Sequence, residues 1–450
     1  MIARWIIASC SILLGLLTFG SSQIIDNFED IQGPYCSDIG CCLNRTDSCS
    51  KPIIGTLCYC DEFCDRHFNQ DCCPDFWAVC KGITTTTKKP FTTTRPPLPP
   101  EPETLYSCDH NGVRYPIDTE IVDNCNTCKC ELSGNDAIFR CEQNICLISP
   151  EIISDVNLNN RQTWTASNYS EFWGRTLADG VRYRLGTTKP HKQVMLMNSV
   201  KRYYDPHLLP IQFDSATNWP RFIFGIRDQG WCGSSWAIST AAVASDRFGI
   251  MSEGFESVNL SPQNIISCAR GSIPCEAGPL DRAWNYVRKY GVVDEDCFSY
   301  TGSSESKCPI KRTTTLSSAN CIPPKYSNRT ELYKVGPAYR LGNETDIMYD
   351  IIRSGPVQAT MLVYHDFFSY SRGIYRHTDL SLSHLKGYHS VRIVGWGEEK
   401  TRFGLQKYWK VANSWGTKWG EDGYFRIARG TNECEIESFV LGIWAKDLIS

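Results

Sequence analysis

The stretch QGWCGSSWA, residues 229–237, decides the fold of this chain. It leads into SWAISTAAVA at 235–244, an apolar run that predicts a helix beginning at Ser235. The N-terminus of a helix carries a partial positive charge and free backbone N–H groups, so it favours negative charge at that position. Two more informative blocks follow, KGYHSVRIVGWG at 386–397 and YWKVANSWG at 408–416.

These three blocks, in this order and spacing, resemble the papain family of cysteine proteases, whose local signature around the nucleophile is C-G-[SA]-C-[WY]. The resemblance runs from Leu209 to the C-terminus. It is strongest to the cathepsin B branch, on FD at 213–214, NWP at 218–220 and RIVGWG at 392–397. It implies an α+β papain-like (cathepsin B-like) domain of two lobes over 209–450, with a helical half, a β-barrel-like half and a cleft between them.

The resemblance also implies roles for four residues. His389, 154 positions after Ser235, stands where the family has its general base, and Asn413 stands where the family has the residue that orients this base. Gln229 matches the side-chain donor of the oxyanion hole, and the backbone N–H of Ser235 would be the second donor.

Two further residues are expected in the cleft. Trp415 is placed to shield the hydrogen bond between the Asn and the His from water. Gly278 ends the segment CEAG at 275–278, where the family has Cys-x-Gly-Gly, and could present its backbone to an extended substrate. Ala277 and Pro279 change the shape of that wall, and Tyr388 precedes the histidine where a small residue or Asn is usual.

Ser235 itself departs from the family, which has cysteine there. A thiol with a pKa near ~8.5 can be lowered to ~3–4 beside an imidazolium and a helix N-terminus, and it then attacks as a thiolate. A serine hydroxyl does not ionise in that setting and needs a base placed to take its proton during attack. The sequence therefore predicts a protease homologue that is not an enzyme, with weak serine-type hydrolysis through Ser235 as the alternative.

The rest of the chain reads as a secreted multidomain protein of 450 residues. Residues 1–22 combine an early Arg, a short apolar core and small residues, as in a signal peptide, and no run is long enough to span a membrane. The formal net charge of −3 gives no electrostatic reason to expect nucleic acid as a partner. No cofactor is predicted.

Of the 24 cysteines, 23 remain once Cys10 leaves with the signal peptide. Metal binding is the alternative for Cys58-x-Cys60 and Cys125-x-x-Cys128, but the signal peptide favours disulfides and no metal site is predicted. Ten cysteines lie in the first cluster: Cys36, Cys41, Cys42, Cys49, Cys58, Cys60, Cys64, Cys72, Cys73 and Cys80.

Small disulfide-rich modules are predicted before the papain-like domain. Residues 32–82 resemble a somatomedin B domain, on CYCDEFC at 58–64 and CCPDF at 72–76, and the family uses this module to bind proteins. Residues 83–105 are mainly Thr and Pro and read as an extended, O-glycosylated spacer or a plain flexible linker. Residues 106–148, with CNTCKC at 125–130, resemble part of a von Willebrand factor type C module.

Residues 149–208 occupy the place of a protease propeptide, which in active relatives lies along the cleft and is removed by proteolysis. We expect it to stay attached here, because self-processing needs the missing thiol. The family resemblance pairs Cys232 with Cys275, Cys268 with Cys308, and Cys297 with Cys321. This leaves Cys434 as a buried free thiol, or as the origin of an intermolecular bridge.

The complete order of modules resembles the tubulointerstitial nephritis antigen family, and it implies a non-catalytic glycoprotein of the extracellular matrix. Extracellular matrix proteins or cell-surface receptors are the expected partners. A second interpretation is a pseudo-protease that captures peptides or proteases in a dead cleft, and a third is the weak hydrolase. Five sequons fit a secreted glycoprotein: Asn44, Asn168, Asn259, Asn328 and Asn343.

Overall fold

The computed structural model describes residues 34–42, 49–53, 56–61, 72–82, 106–134, 136–158, 162–197, 199–200, 203–269, 271, 273–303, 307–310, 315–322 and 329–445. The chain divides into two compact units, residues 1–101 and 102–450. Five earlier predictions fall outside the described residues: the signal peptide at 1–22, the linker at 83–105, Cys64, Asn44 and Asn328.

The first unit is stabilised by disulfides more than by an apolar core. Its elements are α1 (Cys36–Ile39), β1 (Ser50–Ile53), β2 (Thr56–Tyr59) and α2 (Phe76–Cys80), with β1 and β2 antiparallel. Apart from cysteines, only Ile53 and Phe76 are buried apolar side chains in the described part of its core. The bridges are Cys36–Cys60, Cys41–Cys80, Cys42–Cys49 and Cys58–Cys73, and Cys72 is also disulfide-bonded. So small a unit needs such bridges because it buries too little surface.

The second unit begins with two small antiparallel sheets. One contains β3 (Ser107–His110) and β4 (Val113–Pro116), and the other contains β5 (Glu120–Asp123), β6 (Asn126–Ser133) and β7 (Asp136–Cys141). Disulfides join Cys108 to Cys130, Cys125 to Cys146, and Cys128 to Cys141. The side chain of Asn124 donates to the Ile148 carbonyl and accepts from the Gly174 backbone, so it ties this part to the segment that follows.

The propeptide-like segment is built into the core of the larger domain. It contains α3 (Pro150–Leu158), β8 (Trp164–Ala166), α4 (Leu177–Asp179) with a following π turn (Gly180–Arg184), and α5 (Lys192–Met195). Its apolar side chains and those just before it belong to one buried cluster with the central sheet: Leu147, Ile148, Ile152, Val156, Trp164, Phe172, Leu177 and Leu185. Removing the segment would therefore open the core.

A helical lobe carries the signature stretch. After β9 (Phe213–Asp214) come α6 (Ser215–Asn218), α7 (Ser235–Met251), α8 (Pro262–Cys268) and α9 (Leu280–Tyr290). Helix α7 is buried on nearly every side because its many Ala, Ser and Thr side chains let neighbouring elements approach closely. Helix α9 buries Leu280, Ala283, Trp284 and Val287, one stripe at the 3.6-residue period. The lobe contains the bonds Cys232–Cys275, Cys268–Cys308 and Cys297–Cys321.

A curved sheet forms the other lobe. Its later strands are β10 (Val335–Leu341), β11 (Val357–Val363), β12 (Tyr370–Tyr375), β13 (Gly387–Thr401), β14 (Gly404–Ala412), β15 (Tyr424–Ala428) and β16 (Val440–Ala445), with α10 (Glu344–Ser354) packed beside them. The strand order is β10-β16-β11-β13-β14-β15-β12-β8, and β9 pairs with β13. The sheet thus includes a strand of the propeptide-like segment at one end.

The predicted fold class, small disulfide-rich modules followed by an α+β domain of two lobes, is confirmed. The start of α7 meets β13 and the end of β14 where the two lobes join. Among the described residues, no helix combines the length and apolar character needed to cross a membrane.

Candidate functional site

Ser235 is the first residue of α7 and is fully buried. Its Oγ lies 2.9 Å from Thr187 Oγ1, and it accepts a hydrogen bond of 3.3 Å from the backbone N–H of Ser390. The first of these partners belongs to the propeptide-like segment. The hydroxyl at the position of the nucleophile is therefore bonded to the chain's own segment.

His389 lies on β13 and bonds to Asn413 at the end of β14, with 2.7 Å between Nε2 and Oδ1. The same Oδ1 accepts from the backbone N–H of Ser414, so His389 Nε2 carries the proton of this bond. Its Nδ1 then carries the lone pair, and this buried atom has no hydrogen-bond partner within the described residues. A base of the right tautomer is present, but it is not bonded to Ser235.

Burial keeps His389 uncharged. Loss of solvent lowers its pKa to about 4, and the positive charge of Arg184 adds to this effect, while the bond to Asn413 opposes it. The Trp415 ring lies 5.3 Å from the imidazole ring, centroid to centroid, and is itself buried. The imidazolium that would activate a thiolate in this family is therefore absent at neutral pH.

The donors predicted for the oxyanion hole already hold a carbonyl. Gln229 Nε2 donates to the Leu185 oxygen at 2.8 Å, and the backbone N–H of Ser235 points to the same oxygen at 3.4 Å. Ser414 Oγ donates to Gln229 Oε1, which fixes the orientation of the amide. Since an oxyanion needs both donors free, Leu185 occupies the place of a substrate carbonyl.

Residues 185–188, named the cleft strand here, run through the cleft with irregular backbone, and Thr187 forms isolated bridges with Gly278 and Tyr388. The backbone N–H of Gly278 donates to Gly186 at 3.2 Å, and that of Thr188 donates to Gly278 at 3.1 Å. On the opposite side, the N–H of Thr187 donates to the Tyr388 carbonyl at 3.1 Å. The structure thus brings Gly278 and Tyr388 together as two walls of one cleft, and the chain itself fills the space between them.

Gly186 allows this close approach. Its φ is +121°, and a Cβ added there would lie 2.2 Å from the carbonyl carbon of Gly233 and 2.4 Å from its oxygen. Gly278 is equally restricted, because its Cβ would meet the Trp236 ring at 2.5 Å. Any side chain at position 186 must lift the strand away from the signature stretch.

Arg184 anchors the strand on its N-terminal side. Its guanidinium is buried over the Phe172 ring and forms ion pairs with Glu171 and Asp228, each at 3.1 Å. Burial lowers the pKa of this guanidinium, and the two carboxylates oppose that effect. The Trp415 indole N–H donates to the Arg184 carbonyl at 2.6 Å, so the predicted cleft tryptophan holds the segment as well as shielding His389.

The contact of residues 185–187 with the cleft was not predicted from the sequence. Leu185 and Gly186 bind through backbone atoms, Thr187 adds one hydroxyl, and Gly186 fits because it has no side chain. No residue type marks such a contact in advance. The only available signal was the position of the segment before the papain-like domain. The bond Cys232–Cys275 lies beside the strand and fixes the loop that precedes Ser235.

The described sequons differ in how accessible their amides are. Asn168 is exposed on a turn of the segment. Asn343 is exposed as well, but its Oδ1 caps α10 by accepting from the Asp346 backbone. Asn259 is half-buried, and its Oδ1 accepts from Arg227.

Comparisons with known proteins agree with this architecture. A profile of the family described as "Papain family cysteine protease" matches residues 209–443. The chain is 43% identical to human tubulointerstitial nephritis antigen-like over 93% of its own length and 90% of that protein. It is 40% identical to human tubulointerstitial nephritis antigen, covering 92% of this chain and 88% of that one. Among solved structures, it is similar to proCathepsin B S9 from Trypanosoma congolense at 30% identity and a TM-score of 0.56, covering 67% of this chain and 99% of that one.

Proposed function

The chain belongs to the papain family of cysteine proteases and, within it, to the family of the tubulointerstitial nephritis antigens, and from this membership we propose that it is a secreted, non-catalytic glycoprotein of the extracellular matrix. In this proposal the papain-like domain is a scaffold that binds matrix proteins or cell-surface receptors. The observation that carries the proposal is the filled cleft, in which Ser235 bonds to Thr187 and Leu185 holds the oxyanion donors.

Three features support the absence of catalysis. The nucleophile position carries a hydroxyl that bonds to the segment instead of to His389. The base is present but is buried and uncharged. The segment contributes core side chains such as Phe172 and Leu185, so its removal carries a large cost in stability.

The test uses the full chain and opens the cleft without truncation. Gly186→Ala introduces a Cβ that collides with Gly233, so we expect it to displace residues 185–188 from the cleft. Gly112→Ala is the matched control, because Gly112 also has a positive φ, +80°, but no atom lies within 4 Å of its Cβ position. Both substitutions carry backbone strain, and only the first blocks the cleft.

Each variant is measured for peptide hydrolysis and for labelling of Ser235 by a fluorophosphonate. We expect no turnover and no adduct for the natural chain, for Gly112→Ala and for Gly186→Ala. Introducing Ser235→Cys together with Gly186→Ala should allow labelling by a thiol-directed epoxide, whereas Ser235→Cys alone should be protected. Turnover by Gly186→Ala that disappears with His389→Ala would overturn the proposal in favour of a serine-type hydrolase.

Capture of peptides is a second candidate, which one specific observation favours. Gly278 and Tyr388 hold residues 186–188 by backbone hydrogen bonds, which is the way a cleft of this kind binds a peptide. This role predicts saturable peptide binding without products by the natural chain and by Gly112→Ala, in competition with residues 185–188, and tighter binding by Gly186→Ala. If Gly186→Ala binds no peptide, the cleft serves only to bind residues 185–188 of the chain itself.

The matrix role is tested in cells that secrete the chain. We expect the protein in the detergent-insoluble matrix fraction, with Gly186→Ala distributed in the same way, because the cleft is not the binding surface in this proposal. Recovery of both proteins only from the medium would contradict the matrix assignment and would leave the catalytic result unaffected.

A further inference from the structure

A histidine, a carboxylate and the free thiol meet at one place in the sheet lobe, away from Ser235 and the strand in the cleft. His377 follows β12, while Glu433 and Cys434 lie in the short 3₁₀ turn Glu433–Glu435 that precedes β16. Their ligand atoms all lie within 4.8 Å of one another. No metal site was predicted from the sequence, and 56 positions separate His377 from Glu433.

One carboxylate oxygen is shared by the other two side chains. Glu433 Oε1 lies 2.6 Å from His377 Nδ1 and accepts from Cys434 Sγ at 3.4 Å. It also accepts from the His377 backbone N–H at 3.1 Å, and this bond fixes the carboxylate to the end of β12. His377 Nδ1 and Cys434 Sγ are therefore both in hydrogen-bonding contact with the same carboxylate oxygen.

Burial and access suit a bound ion. Glu433 and Cys434 are 8% and 5% exposed, while the side chain of His377 is 31% exposed and forms the side of the cluster that faces solvent. Cys434 is the one free cysteine in the described part of the chain. An ion would reach this cluster from solvent on the side of His377. A water molecule on the same side would be its fourth ligand.

Two of the three distances between ligand atoms can be compared with those of a tetrahedral zinc site. With Zn–N and Zn–O bonds of about 2.0–2.2 Å and Zn–S bonds of about 2.3 Å, neighbouring ligand atoms lie about 3.3 to 3.7 Å apart. The S–O distance of 3.4 Å is already in this range. The N–O distance of 2.6 Å must open by about 0.7 Å to reach it. The half-exposed imidazole ring can make this shift.

We propose that His377 Nδ1, the Glu433 carboxylate and the Cys434 thiolate form a binding site for a divalent transition-metal ion of the zinc class. The ion takes the place of the proton on Cys434 Sγ, which passes to solvent, and of the proton on His377 Nδ1. An imidazolium releases that second proton to solvent, whereas a neutral His377 ring keeps one proton by carrying it on Nε2 instead. One thiolate, one carboxylate and one neutral imidazole carry two negative charges against the two positive charges of the ion. The guanidinium of Arg376, 3.8 Å from the other Glu433 oxygen, adds one positive charge beside the site. Mixed sulfur, nitrogen and oxygen ligands favour zinc over magnesium or calcium.

The backbone around the thiol supports this assignment. Cys434 has φ +53° and its neighbour Glu435 has φ +59°, a backbone region that residues other than Gly rarely adopt. Such conformations are unfavourable for residues with a side chain and persist where the surroundings impose them. Here they turn the Cys434 side chain toward Glu433.

The test titrates cobalt(II), as a coloured substitute for zinc, into the full-length secreted protein after chelator treatment, with its disulfides intact and no reducing agent present. We expect a thiolate-to-cobalt charge-transfer band that saturates at one ion per chain and is removed by zinc. Cys434→Ser should abolish the band. Glu433→Gln and His377→Gln should each weaken zinc binding at least about tenfold, as even outer-shell changes do at metal sites.

Matched controls are available for two of the ligands. Glu435→Gln removes a neighbouring carboxylate that bonds to Tyr388, and His191→Gln removes an exposed histidine elsewhere, so neither should alter the zinc affinity. Zinc should also raise the Tm of the natural chain but not that of His377→Gln, whose side chain is the most exposed of the three ligands. This comparison keeps the test valid if Cys434→Ser folds poorly. Absence of a saturable band, or zinc affinity unchanged in both Glu433→Gln and His377→Gln, would overturn the proposal.

Discussion

Ser235 Oγ and Thr187 Oγ1 lie 2.9 Å apart at a buried position, where a hydrogen bond is stronger than in water. A thiol is larger and a weaker hydrogen-bonding group than a hydroxyl. The serine therefore fits the contact with the segment better than the cysteine of the proteases would. On the predicted role of position 235, a serine there would replace the nucleophile and also stabilise the strand that covers it.

We expect Thr187→Val to destabilise the folded protein by about 1–2 kcal/mol, because the Ser235 hydroxyl then loses a buried partner. The neighbouring Thr188→Val is the control. The Thr188 hydroxyl is buried without a partner in the described structure, so its replacement should be neutral or stabilising. Urea unfolding midpoints of the two variants measure the difference, and equal destabilisation would contradict the role of the Ser235 contact.

Residues with distinctive chemistry were predictable from the sequence. Ser235, His389, Asn413 and Gln229 lie in informative blocks, and the fold brings all four to one place. Their catalytic or former catalytic roles stay predictions. By contrast, the meeting of His377 with Cys434 depends on how β12 and the turn before β16 are placed in the sheet, which no local pattern reveals.

At the scale of elements, the propeptide-like segment behaves as a structural part of the papain-like domain. Phe172 is fully buried and contacts the rings of Trp231, Phe368 and Trp415. His365 Nε2 bonds to the carbonyl oxygen of Cys146 at 2.9 Å, just before the segment begins. These contacts give a physical reason for the expectation that the segment stays attached, which remains a prediction.

We expect Phe172→Ala to cost about 3–5 kcal/mol in unfolding free energy, because it leaves a cavity among large aromatic rings. Trp173→Ala is the matched control, since the neighbouring ring is 42% exposed and its removal should have a much smaller effect. Thermal and urea unfolding provide the measurement. A small effect at both positions would mean that the segment is only a loose cover.

The two-lobed domain was predictable because three sequence blocks resemble the papain family. The apolar run after Ser235 and the β-branched run after His389 agree with the helix and the strand found there. The family and the fold class are confirmed. The predicted boundaries of the modules stay predictions. The addition of β8 to the central sheet was not predictable, because a three-residue strand has too little pattern to identify its partner.

At the scale of the whole molecule, buried histidines set a pH dependence. Burial lowers the pKa of both His389 and His365 to about 4, and the facing His384 adds to the effect at His365, while the Cys146 and Leu147 carbonyls and Glu151 oppose it. An unfolded histidine has a pKa of about 6.5. Between about pH 4 and 6.5 these two histidines therefore bind more protons in the unfolded chain, and their contribution to stability falls as the pH falls. Asp246, whose pKa is raised to about 6 by burial, acts in the opposite direction over part of this range.

From these values we expect each of the two histidines to contribute a loss of about 2 kcal/mol between pH 7 and pH 5. His365→Gln should remove about half of the loss in stability that His365 and His389 cause together. His191→Gln, at an exposed site, should leave the pH dependence of stability unchanged. Urea midpoints at the two pH values provide the comparison. An unchanged pH dependence in His365→Gln would contradict the prediction.

Strand β8 has a consequence for solubility. It pairs antiparallel with β12 along Trp164–Ala166, so it covers one border of the central sheet with a very short strand. If the segment were stripped away, β12 would present its unpaired N–H and C=O groups to other molecules, and such open borders recruit further strands and aggregate. We expect chains cut within 203–208, where most residues are exposed, not to scatter light in native buffer and to scatter it only when mild denaturant releases the segment. The segment would then protect this protein against self-association.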